Sequence, residues 1–422
     1  LTINNNTIGN GTAENMRAGV LGTTTGSSVV SGINMPSTPT ANTITNNTIQ
    51  NLASYGTGTA GFVRGVCTAV SGSATAIGWS ISNNIINNLT TNNATTSLSS
   101  GVCSALGIHH LPSQGCLISQ NSISNISNIN TTATTNIIVA GIMTANASVT
   151  TTLGTEITRN KIWNLSNATI GTTLLTPPMV VGIGVRSGNN ITAINNNMIS
   201  LGSGQTSNTS FVGIWNNNGS TPNPTTTNVY HNSVQIEGTA AAGALPSFAY
   251  LRAQFVSATS NTVTVDVRDN VFQNTRTGGT GQHFAISNGF NSTTVSATGW
   301  PANASNYNIL NSADANSIGH WTVAHTFAGW KTISASDANS ISGAPVTFVN
   351  TATGDLHIVF PPSSVVEGAG TPIASVTVDY DGQTRSGLTP TDIGADAGNF
   401  LTSPAISITP LASTCATGAR SL

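Results

Sequence analysis

One grouping of chemically active side chains in this sequence is an acid and two bases within six residues. These are Glu156, Arg159 and Lys161. Polysaccharide lyases need a Lys or Arg as base beside calcium-binding acids, and glycosidases need a pair of carboxylates. Strand alternation next to inward Ile157 and Ile162 places Glu156 and Lys161 outside. We interpret the three as a solvated charged patch, and they are the candidates for catalysis if the chain is an enzyme.

Two tryptophans offer a different chemistry, the stacking of an indole on a sugar ring. Trp163 and Trp215 each follow an isoleucine of the predicted core, so both are predicted to face solvent. Arg186 and Asn217 add a cation and an amide nearby. We predict that these four residues contact glycans. The alternative is that each tryptophan packs against an overlying loop.

Most acids lie late in the chain, because ten of the 13 follow Ser260. Asp379 and Asp381 have the D-x-D-G spacing of calcium-binding loops, and Asp392 follows them. The pattern lacks the Glu that would complete an EF-hand, so it favours a turn with Arg385 neutralising the acids. We predict no metal or cofactor, with calcium at Asp379 and Asp381 as the alternative.

Histidine and cysteine patterns indicate no catalytic centre. The adjacent His109 and His110 point apart on a strand, so we interpret them as an exposed pair that binds no metal. Cys67 and Cys103 each follow a Gly-Val pair, which assigns them to the same position of neighbouring repeats. Stacked repeats would bring them close enough for a disulfide, and two free thiols are the alternative.

These residues are carried by a repeat whose unit is apolar-x-x-Asn-x-apolar. Its anchor asparagines lie 35 to 41 residues apart, at Asn6, Asn47, Asn84, Asn121, Asn160, Asn197, Asn232 and Asn270. A second element, a glycine followed by a β-branched residue, recurs at Gly19, Gly65, Gly101, Gly141, Gly182 and Gly213, and Phe248-Ala249 and Phe284-Ala285 take its place later. Repeats of this length are typical of solenoids.

Three short apolar segments per repeat, without helical periodicity, predict three strands of three to five residues. The fold class is therefore all-β, a right-handed parallel β-helix of about eight Asn-anchored coils with irregular C-terminal coils and a cap. We expect each anchor Asn to adopt the left-handed backbone conformation and to bond through its amide to its neighbours in the stack. Columns beginning at Ile3 and Ile8 are predicted to line the core.

The composition changes near residue 300, where the regular Asn spacing ends and aromatic residues and acids become frequent. We assign residues 1–300 to the Asn-ladder β-helix and residues 301–400 to terminal coils and a capping segment. Residues 401–422 are predicted to be a linker or the start of a truncated β-sandwich-like module. The chain begins inside a repeat without a signal peptide, so we expect it to be part of a longer protein.

Charge is scarce, at 6% of residues with a net of −2. The sequence has no basic stripe, which disfavours nucleic acids and anionic membranes as partners. No apolar stretch approaches the roughly 18 residues that a membrane span needs. Hydration through Asn, Thr and Ser fits an extracellular β-structure better than a cytosolic enzyme.

The I-x-x-N-x-I-x-N repeat over residues 1–274 resembles the parallel β-helix proteins of the pectate-lyase-like superfamily. The segment D-Y-D-G-Q-T-R from Asp379, followed by D-I-G-A from Asp392, resembles the closing motif of large surface proteins of Bacteroidetes. That group has Glu where this chain has Asp396. The resemblance implies export, by the type IX secretion route, to the outer cell surface.

We therefore predict a non-catalytic structural or adhesive rod segment of a large secreted cell-surface protein. Its expected partners are extracellular polysaccharides or surface glycans, and the machinery that secretes and anchors the protein. The alternative is a polysaccharide lyase or glycoside hydrolase of the same fold. A groove lined by grouped carboxylates with an Arg or Lys would favour the enzyme.

Overall fold

The computed structural model of this chain describes residues 1–35, 42–68, 78–95, 103–111, 115–134, 137–145, 154–174, 179–186, 191–217, 226–252, 263–290, 297–359, 365–388 and 390–399. Its fold is a parallel β-solenoid with three long sheets of nine, ten and ten strands. This confirms the predicted all-β parallel β-helix. No helix among these residues is long and apolar enough to cross a membrane.

Each turn runs through sheet A, crosses the Asn corner into sheet B, and then enters sheet C. Sheet A contains Thr2–Asn4, Thr43–Thr45, Trp79–Ser82, Cys116–Ser119, Thr155–Thr158, Ile191–Asn195, Thr226–Tyr230, Thr264–Arg268 and Ser305–Asn306. Sheet B contains Thr7–Ile8, Met16–Ala18, Thr48–Ser54, Ile85–Thr91, Ser122–Asn128, Lys161–Asn167, Met198–Leu201, Ser233–Ile236, Val271–Asn274 and Ile309–Ser312.

Sheet C contains Val29–Met35, Phe62–Thr68, Ala105–His110, Ile138–Ala145, Met179–Arg186, Ser210–Asn217, Ser247–Arg252, His283–Asn288, Gly319–Trp321 and Val323–His325. The pairs Thr239–Ala240 with Thr277–Gly278 and Phe348–Asn350 with Asp355–Ile358 form two small sheets. The described part of the chain has one α-helix, Phe327–Ser334, and the 3₁₀ turns Thr351–Thr353 and Arg385–Gly387. Strands of six to eight residues in sheet C are longer than predicted, because the chain extends on both sides of the Gly-apolar pair.

The predicted aliphatic columns line the interior. In sheet A, Ile44 pairs in register with Ile81, and Ile81 pairs with Ile118. In sheet B, Ile49 pairs with Ile86 in the same way. All five side chains are completely buried. Each turn therefore repeats the same contact with the next, which is how a solenoid gains stability from its nearest neighbours.

The Asn ladder beside these columns is continuous. The Asn84 amide donates to Asn121 Oδ1 at 2.9 Å and to the Ile44 carbonyl at 3.0 Å. The backbone N–H of Asn84 donates to the same Asn121 oxygen at 3.0 Å. The pattern runs from Asn6 to Asn270 and reaches a further rung, Asn308, that the sequence analysis did not include. The prediction that coil-to-coil bonding consumes these amides is confirmed.

The backbone conformation at the corner differs from the prediction. The left-handed residue is the one that precedes each anchor, as at Asn83 with φ of 56°, and the anchors themselves are not left-handed. This placement leaves the anchor side chain pointing inward while its predecessor points outward. The left-handed corner column is Asn5, Asn46, Asn83, Gln120, Arg159, Asn196, His231, Asp269 and Tyr307.

The glycines that precede a β-branched residue stack as a column in sheet C, and the prediction is correct at residues 65, 141, 182 and 213. It is wrong at Gly19, which lies at a turn beside Tyr55, and Gly101 lies outside the described residues. The first and third positions belong to Gly32 and Gly107. A Cβ at Gly141 would lie 2.6 Å from Ile162 Cγ2 and 2.8 Å from the Gly182 carbonyl oxygen. The column therefore excludes larger side chains, although alanines fill it at 249 and 285.

The shifted glycine register overturns the predicted Cys67–Cys103 pairing. Cys67 lies in register with His109, whose Nδ1 is 4.0 Å from the thiol, and Cys67 is a free thiol. Both Cys67 and Cys103 are buried. The prediction that His109 and His110 form an exposed pair is also wrong. Both are buried, and His110 Nδ1 lies 2.8 Å from the Thr68 hydroxyl.

The last turn is closed by a cap in residues 297–341. The α-helix inserts Trp330 into the main core, where its ring packs edge-on against Trp300 at a centroid distance of 5.6 Å. Asp337 is completely buried and accepts hydrogen bonds from Trp330 Nε1 at 2.7 Å and from the Asn308 amide at 3.2 Å. The Asn ladder therefore ends on a carboxylate.

The described residues between 345 and 398, which we call the strap, fold back along the flank of the solenoid. Phe348, Leu356 and Ile393 of the strap bury themselves against Met198 and Val271 on the outer side of sheet B. This second apolar cluster lies outside the solenoid core. The strap thus crosses several turns laterally.

Candidate functional site

The seam between strap and solenoid gathers four of the five aspartates that are buried among the described residues. It follows the left-handed corner column, where most positions hold Asn or Gln. In three of four consecutive turns the column instead holds Arg159, His231 and Asp269. Left-handed corners point these side chains outward, toward residues 370–395 of the strap.

Arg385 is the centre of this seam. Its Nη2 donates to Asn196 Oδ1 at 2.8 Å and to the carbonyls of Gly394 and Ala395 at 2.9 and 3.1 Å. Its Nε donates to the Val378 carbonyl at 3.3 Å. Burial lowers the pKa of Arg385 to about 10, so the guanidinium stays charged at neutral pH. One side chain thus joins the two halves of the closing motif to the corner.

Four carboxyl groups surround this one cation: Asp269, Asp379, Asp392 and Asp396. Backbone amides bind them, as when Gln383 N–H donates to Asp379 Oδ1 at 2.7 Å and Ile358 N–H donates to Asp396 Oδ2 at 2.8 Å. Burial raises the pKa of Asp392 and of Asp396 to about 6. The seam is therefore acid-rich.

His231 and Asp269 form a buried pair in neighbouring turns. His231 Nε2 lies 3.7 Å from Asp269 Oδ2, and both side chains are completely buried. Burial and the charge of Arg385 lower the pKa of His231, whereas burial raises the pKa of Asp269 to about 7. The Asp392 and Gly394 carbonyls lie close enough to favour a proton on the ring. Within the described chain, however, neither ring nitrogen completes a hydrogen bond.

A cavity of about 370 Å³ opens between His231 and the strap. His231 and Arg385 form its polar wall, and Pro372, Ile373 and Val376 form its apolar wall. Arg385 Nη1 also lacks a hydrogen-bond partner among the described residues. His231 and Arg385 Nη1 nevertheless lie behind the cavity surface, because neither is accessible to solvent.

A second cluster lies at the strap surface around His357. Its Nδ1 is 2.5 Å from Asp355 Oδ1 and its Nε2 is 3.0 Å from Asp381 Oδ2. Burial alone would lower the pKa of His357, but the Asp355 hydrogen bond and the charges of Asp396 and Asp381 raise it. Ligating atoms of His357, Asp381 and Asp396 lie within 4.8 Å of one another, a spacing at which a cation could be held.

The calcium candidates do not face each other as a pair. Asp379 is completely buried and bound to the N–H groups of Gln383 and Ala397, whereas Asp381 is exposed beside His357. Gly382 has φ of 90°, and its N–H donates to the Asp379 carbonyl, so the expected turn is present. Calcium binding itself stays a prediction.

Glu156, Arg159 and Lys161 face different surroundings. Glu156 accepts from the Asn195 amide at 3.1 Å, and Arg159 Nε donates to the strap carbonyl of Tyr380 at 2.7 Å. Lys161 lies over the ring of Trp163 instead. Glu156 and Arg159 do line a cavity of about 250 Å³, in which Glu156 is the only acid among the described lining residues.

The predicted glycan contacts are divided between two sheets. Trp163 is partly exposed on sheet B, and its ring lies under Gly354 of the strap, which agrees with the alternative of an overlying loop. Trp215 is only 4% exposed, so the prediction that it faces solvent is wrong. It belongs to a second apolar layer on the outer face of sheet C, with Met143 and Phe248.

Asn217 and Arg186 occupy the ends of adjacent strands of sheet C. Their backbones pair in register, and the Asn217 side chain is buried. Sheet C is apolar on both faces, so strand alternation alone did not separate outward from exposed positions. The four residues therefore do not form one surface.

No family model, curated protein sequence or solved structure matches this chain. The assignment of a site therefore rests on the chain's own residues. The sequence singles out Arg385 and the late acids but does not connect them with His231 and Asp269. The available signal was the residue before each anchor Asn, where ionisable types replace Asn and Gln from Arg159 onward.

Proposed function

We propose that this chain is a non-catalytic structural segment of a secreted cell-surface protein and that its strap-bearing flank contacts glycans. The observation that carries the proposal is the unbroken ladder from Asn6 to Asn308. Each ladder amide donates its hydrogen bonds to neighbouring turns, so the repeat acts as a scaffold. Chemistry must come from what the scaffold carries on its flank.

The acids on that flank serve structure. Asp379 and Asp392 accept backbone N–H groups at both oxygens, and Asp396 accepts the Ile358 N–H. A glycosidase needs two carboxyl groups facing one bond, and a lyase needs a base beside grouped acids. Glu156 and Arg159 share a cavity without a second described acid, which supports a binding role over catalysis.

Export and cell-surface location are part of the same proposal. A chain with 6% charged residues that satisfies its backbone by stacking suits an environment outside the cell. Membership of the pectate-lyase-like superfamily, a Bacteroidetes source and the type IX route are proposed from the repeat and from the closing motif. The closing motif holds the strap to the solenoid, because Arg385 of its first part bonds both to Gly394 of its second part and to Asn196.

The proposal is tested by separating binding from turnover. Purified chain is incubated with a panel of neutral and acidic polysaccharides, and retention on the insoluble forms is measured beside the release of reducing ends and unsaturated products. We expect retention without product. Product release that Glu156→Gln abolishes would establish the enzyme instead, and absence of retention on every polysaccharide would remove the glycan contact.

A further inference from the structure

We propose that His357, Asp381 and Asp396 of the strap form a binding site for one divalent transition-metal ion such as Zn²⁺. The ligating atoms of the three residues lie within 4.8 Å of one another. The site is independent of the proposed glycan contact. It also differs from the calcium pattern of the sequence, because it includes an imidazole and leaves out Asp379.

The spacing of the ligating atoms fits a metal centre. His357 Nε2 lies 3.0 Å from Asp381 Oδ2. Zinc binds imidazole nitrogen and carboxylate oxygen at about 2.0–2.2 Å, so two neighbouring ligands of one ion are about 2.8–3.6 Å apart in octahedral or tetrahedral geometry. An ion can therefore replace the proton between these two atoms without separating the side chains.

The other ring nitrogen of His357 has the partner that a metal-binding histidine needs. Nδ1 lies 2.5 Å from Asp355 Oδ1, and the same oxygen accepts from the His357 backbone N–H at 3.3 Å. Because a carboxylate only accepts, it fixes the ring proton on Nδ1 and leaves the Nε2 lone pair for an ion. Histidines that ligate metals almost always donate their other N–H to such a group. This contact distinguishes the cluster from a chance grouping of acids.

Asp396 brings a buried carboxylate to the same point. The residue is only 7% exposed, and its Oδ2 accepts from the backbone N–H of Ile358 at 2.8 Å. Ile358 follows His357 in the strand Asp355–Ile358, so this bond fixes the acid beside the imidazole. No described residue donates a hydrogen bond to Asp396 Oδ1. The buried acid thus keeps one oxygen for an ion.

Charge and ligand type select the ion. Asp355, Asp381 and Asp396 all act on the one imidazole, and the charge of Lys161 reaches Asp355, so the cluster attracts a dication. Imidazole suits zinc, copper, iron and nickel, whereas calcium and magnesium prefer oxygen ligands. Three protein ligands leave at least one coordination position for water. The site is therefore of the zinc type, with an open position.

The ion would join three separate segments of the strap. His357 lies in a strand, Asp381 in the turn that contains Gly382, and Asp396 directly after the D-I-G-A sequence. An ion that binds only the closed strap stabilises it by mass action. At a free ion concentration about 100 times the dissociation constant, opening of the strap should become about 100-fold rarer.

The test uses the full chain without a polyhistidine tag. Binding of Zn²⁺ and of Ca²⁺ is measured by calorimetry and by equilibrium dialysis with elemental analysis. We expect one Zn²⁺ per chain with a micromolar dissociation constant and at least tenfold weaker binding of Ca²⁺. Zn²⁺ should also slow limited proteolysis of the strap, and a chelator should restore the rate. Tighter binding of Ca²⁺ than of Zn²⁺, or no saturable binding of Zn²⁺, would overturn the proposal.

Two variants localise the ion, because His357→Gln and Asp381→Asn each remove one ligand. Asp381→Asn should leave the fold intact, since its side chain is 45% exposed and bonds only to His357 among the described residues. We expect each variant to bind Zn²⁺ at least tenfold more weakly. His325→Gln, at a half-buried histidine outside the cluster, is the matched control and should keep the affinity of wild type. Wild-type affinity in both ligand variants would place the ion elsewhere and refute the site.

Asp355→Asn tests the orientation of the imidazole. The amide can donate to Nδ1 and so favours the tautomer with its proton on Nε2. We expect about 10–100-fold weaker binding of Zn²⁺. In long-range ¹H–¹⁵N spectra of wild type, Zn²⁺ should shift the Nε2 signal of His357, and a shift of Nδ1 instead would contradict the arrangement.

Discussion

Arg385 and Asn196 lie 189 positions apart in sequence and bond to each other across the strap seam, with Arg385 Nη2 2.8 Å from Asn196 Oδ1. The Asn196 amide donates in return to the Val378 carbonyl at 2.8 Å. The corner residue therefore both accepts from the strap and donates to it. This reciprocal contact, together with the apolar cluster around Ile393, fixes the strap to the solenoid.

Replacing Arg385 with Lys should release the strap while leaving the solenoid folded. Arg385 donates from two nitrogens, from Nη2 to Asn196 and from Nε to the Val378 carbonyl, whereas a lysine has only one nitrogen. We expect proteolysis within residues 365–398 to become at least tenfold faster. Limited proteolysis with mass spectrometry measures this rate. Arg17→Lys, at an exposed residue, is the control, and equal rates in both variants would contradict the role of Arg385.

Replacing a ladder asparagine should destabilise the whole solenoid. In Asn121→Ala, the amide and backbone N–H of Asn84 lose their acceptor and the Ile81 carbonyl loses its donor. We expect a loss of about 3–5 kcal/mol in the free energy of unfolding, because buried unpaired groups cost about 1–3 kcal/mol each. Chemical denaturation followed by circular dichroism measures it.

The matched control is Asn125→Gly, on the exposed ladder four residues later. Asn125 is left-handed with φ of 54°, a conformation that glycine tolerates, and its amide bonds to Asn87 at the surface. We expect less than about 1 kcal/mol of destabilisation. A loss as large as that of Asn121→Ala would show that burial of the inner ladder is not what matters.

Asp269→Asn should change how stability depends on pH. The pKa of Asp269 is raised by burial to about 7 in the folded chain, against about 3.9 when unfolded. The stability that the protonated acid contributes is present below pH 4 and is lost as pH rises through 7. Asn does not titrate, so its contribution does not fall with pH. Between pH 4 and pH 8 the free energy of unfolding of the variant should therefore rise by about 2–4 kcal/mol relative to that of wild type.

Asp314→Asn provides the opposite sign as a control. The Asn316 N–H lowers the pKa of this exposed acid, so its contribution is present at neutral pH and is lost on acidification. As pH rises, the free energy of unfolding of the variant should therefore become slightly smaller than that of wild type. Urea unfolding across the pH range measures both differences. Parallel curves for wild type and Asp269→Asn would show that Asp269 does not hold its proton.

Asp337→Ala should loosen the closed end of the solenoid. The carboxylate accepts from Trp330 Nε1, Ser305 Oγ, Ser340 Oγ and the Asn308 amide. We expect about 2–4 kcal/mol of destabilisation, with faster hydrogen exchange in residues 305–341 and a red-shifted tryptophan emission. Unchanged exchange there would mean that the Trp330 packing closes the end without this carboxylate.

The buried thiols give a test of the corrected glycine register. Cys67 and Cys116 are free and buried, so they should react with a thiol reagent only after unfolding, without prior reduction. Mass spectrometry of the alkylated, unreduced protein should show both labelled. A Cys67–Cys103 disulfide in that experiment would contradict the register of Cys67 with His109.

The sequence alone determined the solenoid. Spacing identified the anchors and both aliphatic columns, because each turn must repeat the same inward residues to stack on the last. The register of Ile44 with Ile81 and the ladder bond of Asn84 to Asn121 follow directly from it. Local periodicity carries this information, so no long-range contact was needed to read it.

The positions of the late residues, and which outward residues are exposed, depend on tertiary packing. Residues 345–398 lack the repeat, so nothing in their spacing shows that Arg385 meets Asn196 or that a cavity forms beside His231. Trp215 obeys alternation and points away from the core, yet a second apolar layer buries it. Alternation fixes the face of a strand that a side chain occupies, whereas exposure depends on what packs on that face from elsewhere in the chain.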